Sequence, residues 1–302
     1  MSTNGHELIF WLFISPFINP NKKTKISPLL ILKNTSSNSV QELTTVFCNF
    51  FSSTVTQFTF KPYNTCLNYI KNFTGDKSNL SFRYLQGASK FKLEQFTESE
   101  VLKALSGLDE SSGMGSTNIS PKVLKYCAEE LARPITKLFN LCLSSGNIPD
   151  EWKIAHITPV YKGKGAKSDI NNYRPISILS PIAKVFESLI ADRITNYLES
   201  NCLLHDAQYG YRRGRSCELA LNTLVDDWKE ALDKGHNAIA IFLDLSKAFD
   251  TLDHRLLIEK LHYYNFDSEC INLIYNYLTN RKIRVNIDGI LSKTEDVYVG
   301  VP

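Results

Sequence analysis

The sequence predicts an α+β fold, for three reasons. The run Ile239-Ala240-Ile241-Phe242-Leu243 is short, continuous and rich in Ile and Phe, and reads as a buried strand that ends at Asp244. Arg281-Lys282-Ile283-Arg284-Val285-Asn286-Ile287 alternates along its length and reads as a second strand, with its basic residues on one face. Other segments carry apolar residues at helical spacing, as in Ile182, Val185, Phe186, Leu189, Ile190, Ile194, Tyr197 and Leu198. The chain has 302 residues, 43% of them hydrophobic and 22% charged, a globular balance with material for about two domains.

A net charge of +3 is too small to argue for nucleic-acid binding alone. The seven cysteines contain no Cys-x-x-Cys pair, which excludes a recognisable zinc module and offers no disulfide framework. Reduced thiols in an intracellular protein are the plain expectation. The N-terminal run Leu8–Ile14, extended by Phe17 and Ile18, is shorter than the about 20 apolar residues of a membrane span. It has neither a basic leader nor an Ala-x-Ala site, so no secretory signal is expected.

Residues 1–95 read as an N-terminal extension or linker, partly disordered, with one helix over Val40–Val55 (Leu43, Val46, Phe47, Phe50 and Phe51) and loop over most of Thr56–Lys90. Residues 96–150 read as a helical extension. Thr97 and Glu100 have capping-box spacing ahead of Val101, Leu102 and Leu105. Ser111–Ser116 reads as a flexible break, and Ser120-Pro121 as a cap followed by a first-turn proline. Pro134 is expected to start the next helix and Gly146 to end it. From 151 onward, Trp152–Tyr161 and Asn172–Leu179 read as strands, separated by the basic glycine-rich loop Lys162–Lys167. That loop lacks the spacing of a Walker A motif. Ser180-Pro181 opens a long helix, and Ser216 caps another through Leu219, Leu224, Val225 and Trp228 to near Gly235. Between them, Arg212, Arg213 and Arg215 have no acid close in sequence, so the turn reads either as an anion site or as a solvated basic turn. Arg255–Tyr264 and Ser268–Leu278 read as helices, and Asp296–Val301 is expected to pair with the 281–287 strand.

Asp244 itself has two readings: a strand-end carboxylate that holds a hard cation such as Mg2+, or a cap for the following turn.

Three segments in this order resemble the reverse transcriptases of non-LTR retrotransposons (LINE and jockey-like elements). They are Asn172-Tyr173-Arg174-Pro175-Ile176-Ser177, Gln208-Tyr209-Gly210-Tyr211-Arg212-Arg213-Gly214-Arg215-Ser216 and Phe242-Leu243-Asp244-Leu245-Ser246-Lys247-Ala248-Phe249-Asp250. Gly146–Lys153, Asn280-Arg281 and Gly300-Val301-Pro302 are also similar to this family, so the likeness runs from about Thr97 to the end. Val40–Val55 resembles, more weakly, the segment between endonuclease and polymerase domains of such elements. The resemblance implies a right-hand polymerase, with fingers and part of the palm in residues 151–302 and no thumb. It makes Asp244 the first palm carboxylate and catalytic residue, the Leu245 carbonyl a further metal ligand, and Phe249 the gate that excludes a ribose 2′-hydroxyl. Arg174, Arg213 and Arg215 match positions near the incoming triphosphate. The implied cofactor is a pair of Mg2+ ions, because phosphoryl transfer needs an in-line 3′-hydroxyl and charge neutralisation more than covalent help. The implied partners are an RNA template, a DNA primer and deoxynucleoside triphosphates, with Lys153, Lys162, Lys164 and Arg284 as backbone contacts. No membrane is implied, and action in the nucleus is.

The family continues after Gly-Val-Pro with Gln-Gly and then Tyr-x-Asp-Asp, which this sequence does not contain. A single Asp supplies too few oxygens for two Mg2+ ions. The expectation is a reverse transcriptase cut before that block and inactive as a 302-residue chain. A non-catalytic RNA-binding remnant, using Lys162–Lys167 and Arg212–Arg215, is the alternative. An aspartate-nucleophile phosphatase would need a second Asp where Ser246 stands, and no Gly-x-Ser-x-Gly elbow appears. His156 and His205 read as ordinary polar residues. His254 is expected to face solvent or cap the helix of Arg255, and Asp250 and Asp253 to serve turns or caps.

Overall fold

The computed structural model describes residues 39–53, 64–66, 68, 89–117, 119–245 and 247–301. The N-terminal apolar run and most of the Thr56–Lys90 loop lie outside the described residues. The described residues divide into a smaller unit within Asn196–Lys247 and a larger one before and after it.

The larger unit has mixed α/β content and two cores. The helical core is built on α2 (Glu98–Ser106), α3 (Pro121–Tyr126), α4 (Ala128–Ser145), the start of α5 (Pro181–Ser200) and α8 (Ser268–Leu278). Its centre is aromatic. Phe139 lies 5.0 Å from Phe186, 5.9 Å from Trp152 and 6.1 Å from Phe96, with mostly edge-on geometry. Such pairs add to the area buried. The Thr97–Glu100 capping box forms as expected: Thr97 Oγ1 accepts from the Glu100 N–H, and Glu100 Oε2 accepts from the Thr97 N–H. Ser120 caps α3 with Pro121 behind it, and Gly146 closes α4 at φ 67°.

The second core lies between α1 (Val40–Ser52) and one face of a mixed sheet. The sheet holds β1 (Ile154–Tyr161), β2 (Tyr173–Ile178), β3 (Arg281–Ile287), β4 (Ile290–Leu291) and β5 (Glu295–Val297), in the order β2-β1-β3-β4 with β5 also on β3. β1 and β2 are antiparallel, with Val160 opposite Arg174; β1 and β3 are parallel, with Ile157 opposite Val285. β5 pairs with β3 through Glu295–Val297, so the expected late strand is present. Ala155, Ile157, Tyr173, Val285 and Ile287 alternate onto the α1 side, where Phe47 meets Tyr173 edge-on at 5.0 Å.

Four expectations need correction. Ile239–Leu243 forms no strand: the run is coil, and Ile239, Ile241, Phe242, Leu243 and Leu245 are 76% to 88% exposed. An apolar run becomes a strand only against a hydrogen-bonding neighbour, and no described segment is ladder-paired with it. Pro134 does not start a helix but lies inside α4, which begins at Ala128. Its ring sits on the exposed side, while Ala128, Ala132 and Ile135 extend the buried stripe backwards. Ser111–Ser116 is not simply a break. Gly115, at φ 62°, lies so close that a Cβ would stand 2.4 Å from the Leu179 carbonyl carbon. The basic residues of β3 do not share one face: Arg281 is buried, while Lys282 and Arg284 alternate to the other side.

Arg281 instead ties the larger unit together. Its guanidinium donates to the carbonyls of Tyr277 (3.0 Å) and Trp152 (3.4 Å) and lies over the Tyr277 ring. Tyr277 Oη donates to Glu187 at 2.8 Å, and burial pushes the Glu187 carboxyl above its ordinary value.

Candidate functional site

In the smaller unit, Asp244 and Leu245 stand on exposed coil, in the segment where a buried strand was expected. No group of three His, Cys, Asp or Glu side chains capable of holding a metal occurs among the described residues. Mg2+ requires near-octahedral oxygen coordination. The described side chains therefore do not fit the two-ion site that the resemblance implies.

The basic turn of this unit follows α5 and precedes α6 (Cys217–Asp233), whose first turn Ser216 caps by accepting from the Leu219 N–H. Two acids that precede the turn, Glu199 and Asp206, lie beside it. Arg212 makes a forked pair with Glu199, Nε to Oε1 at 2.9 Å and Nη2 to Oε2 at 2.7 Å, and donates to the His205 carbonyl at 2.8 Å. Its hydrogen bonds hold the Glu199 carboxyl below its ordinary value. Arg215 lies over the Tyr209 ring at 5.4 Å and 3.9 Å from the exposed Asp206. Tyr209 Oη donates to Thr223 Oγ1, which fastens the turn to α6. Positive φ at Tyr211 and Gly214 bends the chain so that Arg212 points back to α5 while Arg213 stays exposed. One of the three arginines is thus spent on the fold.

In the larger unit, Arg174 is exposed on β2. The register puts it on the sheet face away from α1, with His156, Lys282 and Arg284. Burial pushes the His156 imidazole below its ordinary value, and Arg284, opposite it in the ladder, adds to the effect. The charge of this face therefore comes from its lysine and arginines. Arg284 Nε donates to the Ser292 carbonyl at 3.2 Å. Lys153 is placed differently: it is 3% exposed, in a short 3-10 turn before β1. Burial also pushes its ammonium below the ordinary value, and at that exposure Lys153 does not form part of the open surface. Lys162 and Lys164 are exposed. Their loop is held in shape: Asn172 Nδ2 donates to the Ala166 carbonyl, Tyr173 Oη to that of Lys167, and Lys162 Nζ to that of Asn171. Gly165 is required there, since at φ 81° a Cβ would meet Asn172 Nδ2 at 2.4 Å.

Phe249 is 56% exposed, on a turn that leads into α7 (His254–Tyr263). Asp253 caps α7, as expected, by accepting from the Arg255 N–H at 2.8 Å. Gly300 and Val301 dock on this turn. The Gly300 N–H donates to the Leu252 carbonyl at 2.9 Å, and the Val301 N–H to that of Phe249 at 3.0 Å. His254 is buried rather than facing solvent, and its Nε2 lies 2.6 Å from the Gly300 carbonyl oxygen. This clasp was missed in the sequence. The available signal was an Asp-His pair at a helix start together with a glycine near residue 300, which does not say that the two meet.

No helix among the described residues is long and apolar enough to cross a membrane. Residues 163–302 match the family model described as reverse transcriptase (RNA-dependent DNA polymerase). The chain is similar to the probable RNA-directed DNA polymerase from transposon BS of Drosophila melanogaster, 28% identical over 67% of this chain and 22% of the relative. It is similar to the RNA-directed DNA polymerase from the mobile element jockey of the same species, 24% identical over 93% of this chain and 30% of the relative. A third relative, the probable RNA-directed DNA polymerase from transposon X-element, is 29% identical over 68% of this chain and 23% of its own length. The chain therefore spans less than a third of the curated relatives it matches.

Proposed function

We propose, from the match of residues 163–302 to the reverse transcriptase family model, that this chain forms part of the RNA-directed DNA polymerase of a non-LTR retrotransposon. The observation that carries the reading is the domain match, together with relatives that bear this activity in their names. Residues 151–302 would supply fingers and the first part of a palm, residues 96–150 a helical extension, and residues 1–95 the link to what precedes. The reaction joins a primer 3′-hydroxyl to the α-phosphorus of a deoxynucleoside triphosphate, and pyrophosphate leaves. Divalent ions, when bound, neutralise charge on the phosphates. Asp244 and the Leu245 carbonyl would contribute oxygen ligands to them, with further carboxylates from outside the described residues. Arg174, Arg213 and Arg215 would offer donors to the triphosphate, Phe249 would meet the sugar, and Lys162, Lys164, Lys282 and Arg284 would contact nucleic-acid backbone. Action would be intracellular, at nuclear DNA.

Primer extension on an RNA template tests this. A protein that contains this chain within the length of its relatives should incorporate deoxynucleotides, and Asp244→Asn should abolish incorporation. No incorporation by the unsubstituted protein overturns the reading. The 302-residue chain alone should bind RNA without extending a primer, and clear synthesis by it would contradict that part.

A non-catalytic RNA-binding remnant is the second reading, favoured by the exposed basic loop at Lys162–Lys167 and by an exposed Asp244 that is part of no metal-holding group among the described residues. Under it, RNA binding that weakens with salt would persist while the longer protein fails to polymerise.

A further inference from the structure

We propose that His254 is a positioning residue for nucleotide selection, acting by clamping Gly300 onto the turn that carries Phe249. This rests on the reading of Phe249 as the side chain that meets the sugar.

The clasp is closed from both sides. On one side, Gly300 sits at φ 85°, where a Cβ would stand 2.8 Å from the Asp250 carbonyl oxygen and 2.9 Å from that of Phe249. Such backbone-to-backbone approach leaves no room for any side chain. Two N–H donors, from Gly300 and Val301, reach the Leu252 and Phe249 carbonyls from this side. On the other side, the Gly300 carbonyl accepts from His254. A carbonyl can only accept, so in this contact, with Nε2 2.6 Å from the oxygen, His254 Nε2 is the donor. The imidazole is 8% exposed and is the first residue of α7, directly behind the Asp253 cap. Asp253 is itself fixed by Arg255, whose hydrogen bonds hold its carboxyl below the ordinary value. His254 therefore follows directly on a formed helix cap.

The consequence falls on Phe249. Its carbonyl is bound by Val301, while its ring is left more than half exposed. A gate against a single hydroxyl must resist displacement of well under an ångström, because small misplacements at a reacting centre change rates by large factors. His254 supplies that resistance at second hand, through Gly300 and Val301.

The test has two readouts. In the 302-residue chain, hydrogen exchange at the Gly300 and Val301 amides is measured for the unsubstituted protein, His254→Met and His254→Gln. Met keeps bulk without a donor, and Gln keeps an N–H donor. His254→Met should speed exchange about tenfold, and His254→Gln should restore most of the protection. In the polymerase-length protein, the ratio of kcat/KM for deoxynucleotide over ribonucleotide is compared with that of Phe249→Val. His254→Met should lower the ratio about tenfold, chiefly by lowering KM for the ribonucleotide, and His254→Gln should rescue it. Unchanged exchange in folded His254→Met overturns the clamp. An unchanged ratio in His254→Met, when Phe249→Val lowers it, overturns the positioning role. A ratio unchanged in Phe249→Val overturns the reading of Phe249 and the proposal with it. Should His254→Met not fold, Gly300→Ala opens the same clasp from the other side and is held to the same outcomes.

Discussion

Arg212 and Glu187 show how a charged side chain can serve the fold. Arg212 belongs to the basic turn, yet its fork is filled by Glu199 and the His205 carbonyl. Lys offers no planar fork, so Arg212→Lys should cost about 1–2 kcal/mol. A double-mutant cycle with Glu199→Gln, read by urea unfolding, should assign most of that cost to the pair. The carboxyls of Glu199 and Asp253 are held low in the folded chain, by Arg212 and Arg255 respectively. A lowered folded value means stability that is present above the ordinary carboxylate range and lost as pH falls through it. Glu187 has the opposite sign. Burial raises it, so its contribution is full at low pH and is lost as pH rises through the raised value. Glu187→Gln retains an acceptor for Tyr277 Oη and should remove that loss, making the variant relatively more stable at pH 8 than at pH 5 in urea titrations.

At the scale of elements, glycines separate local from tertiary demands. Gly146 and Gly115 both have positive φ, 67° and 62°. Nothing lies within 4 Å of a Cβ at Gly146, so Gly146→Ala should cost about 1 kcal/mol, the conformational penalty alone. A Cβ at Gly115 would strike the Leu179 backbone, so Gly115→Ala should cost about 3 kcal/mol or more. Thermal unfolding of the two variants side by side distinguishes the demands. Pro134 makes a related point: a proline suits a helix's first turn, but apolar burial on its neighbours carries α4 through it.

At the scale of the molecule, the larger unit concentrates its stability in an aromatic centre, whereas the smaller one leaves apolar surface open. Phe139 is fully buried against Phe96, Trp152 and Phe186, and Phe139→Ala should cost about 3–5 kcal/mol by calorimetry. The exposed run Ile239–Leu245 offers large apolar side chains and a backbone with no ladder partner among the described residues, the conditions for association. Ile241→Asp should therefore reduce concentration-dependent self-association of the 302-residue chain, as measured by sedimentation velocity.

Helix caps, the α4 stop at Gly146 and the alternation of β3 were legible in the residues, because each depends on neighbours within a few positions. The pairing of β1 with β3, the acid beside Arg212, the burial of Lys153 and the clasp between His254 and Gly300 were not legible. Each joins groups whose sequence separation carries no signal of contact. Asp244 lies across that divide. The resemblance of its local sequence proposes it as a first palm carboxylate, but the strand expected to present it needs a hydrogen-bonding neighbour, and a neighbour is a tertiary matter.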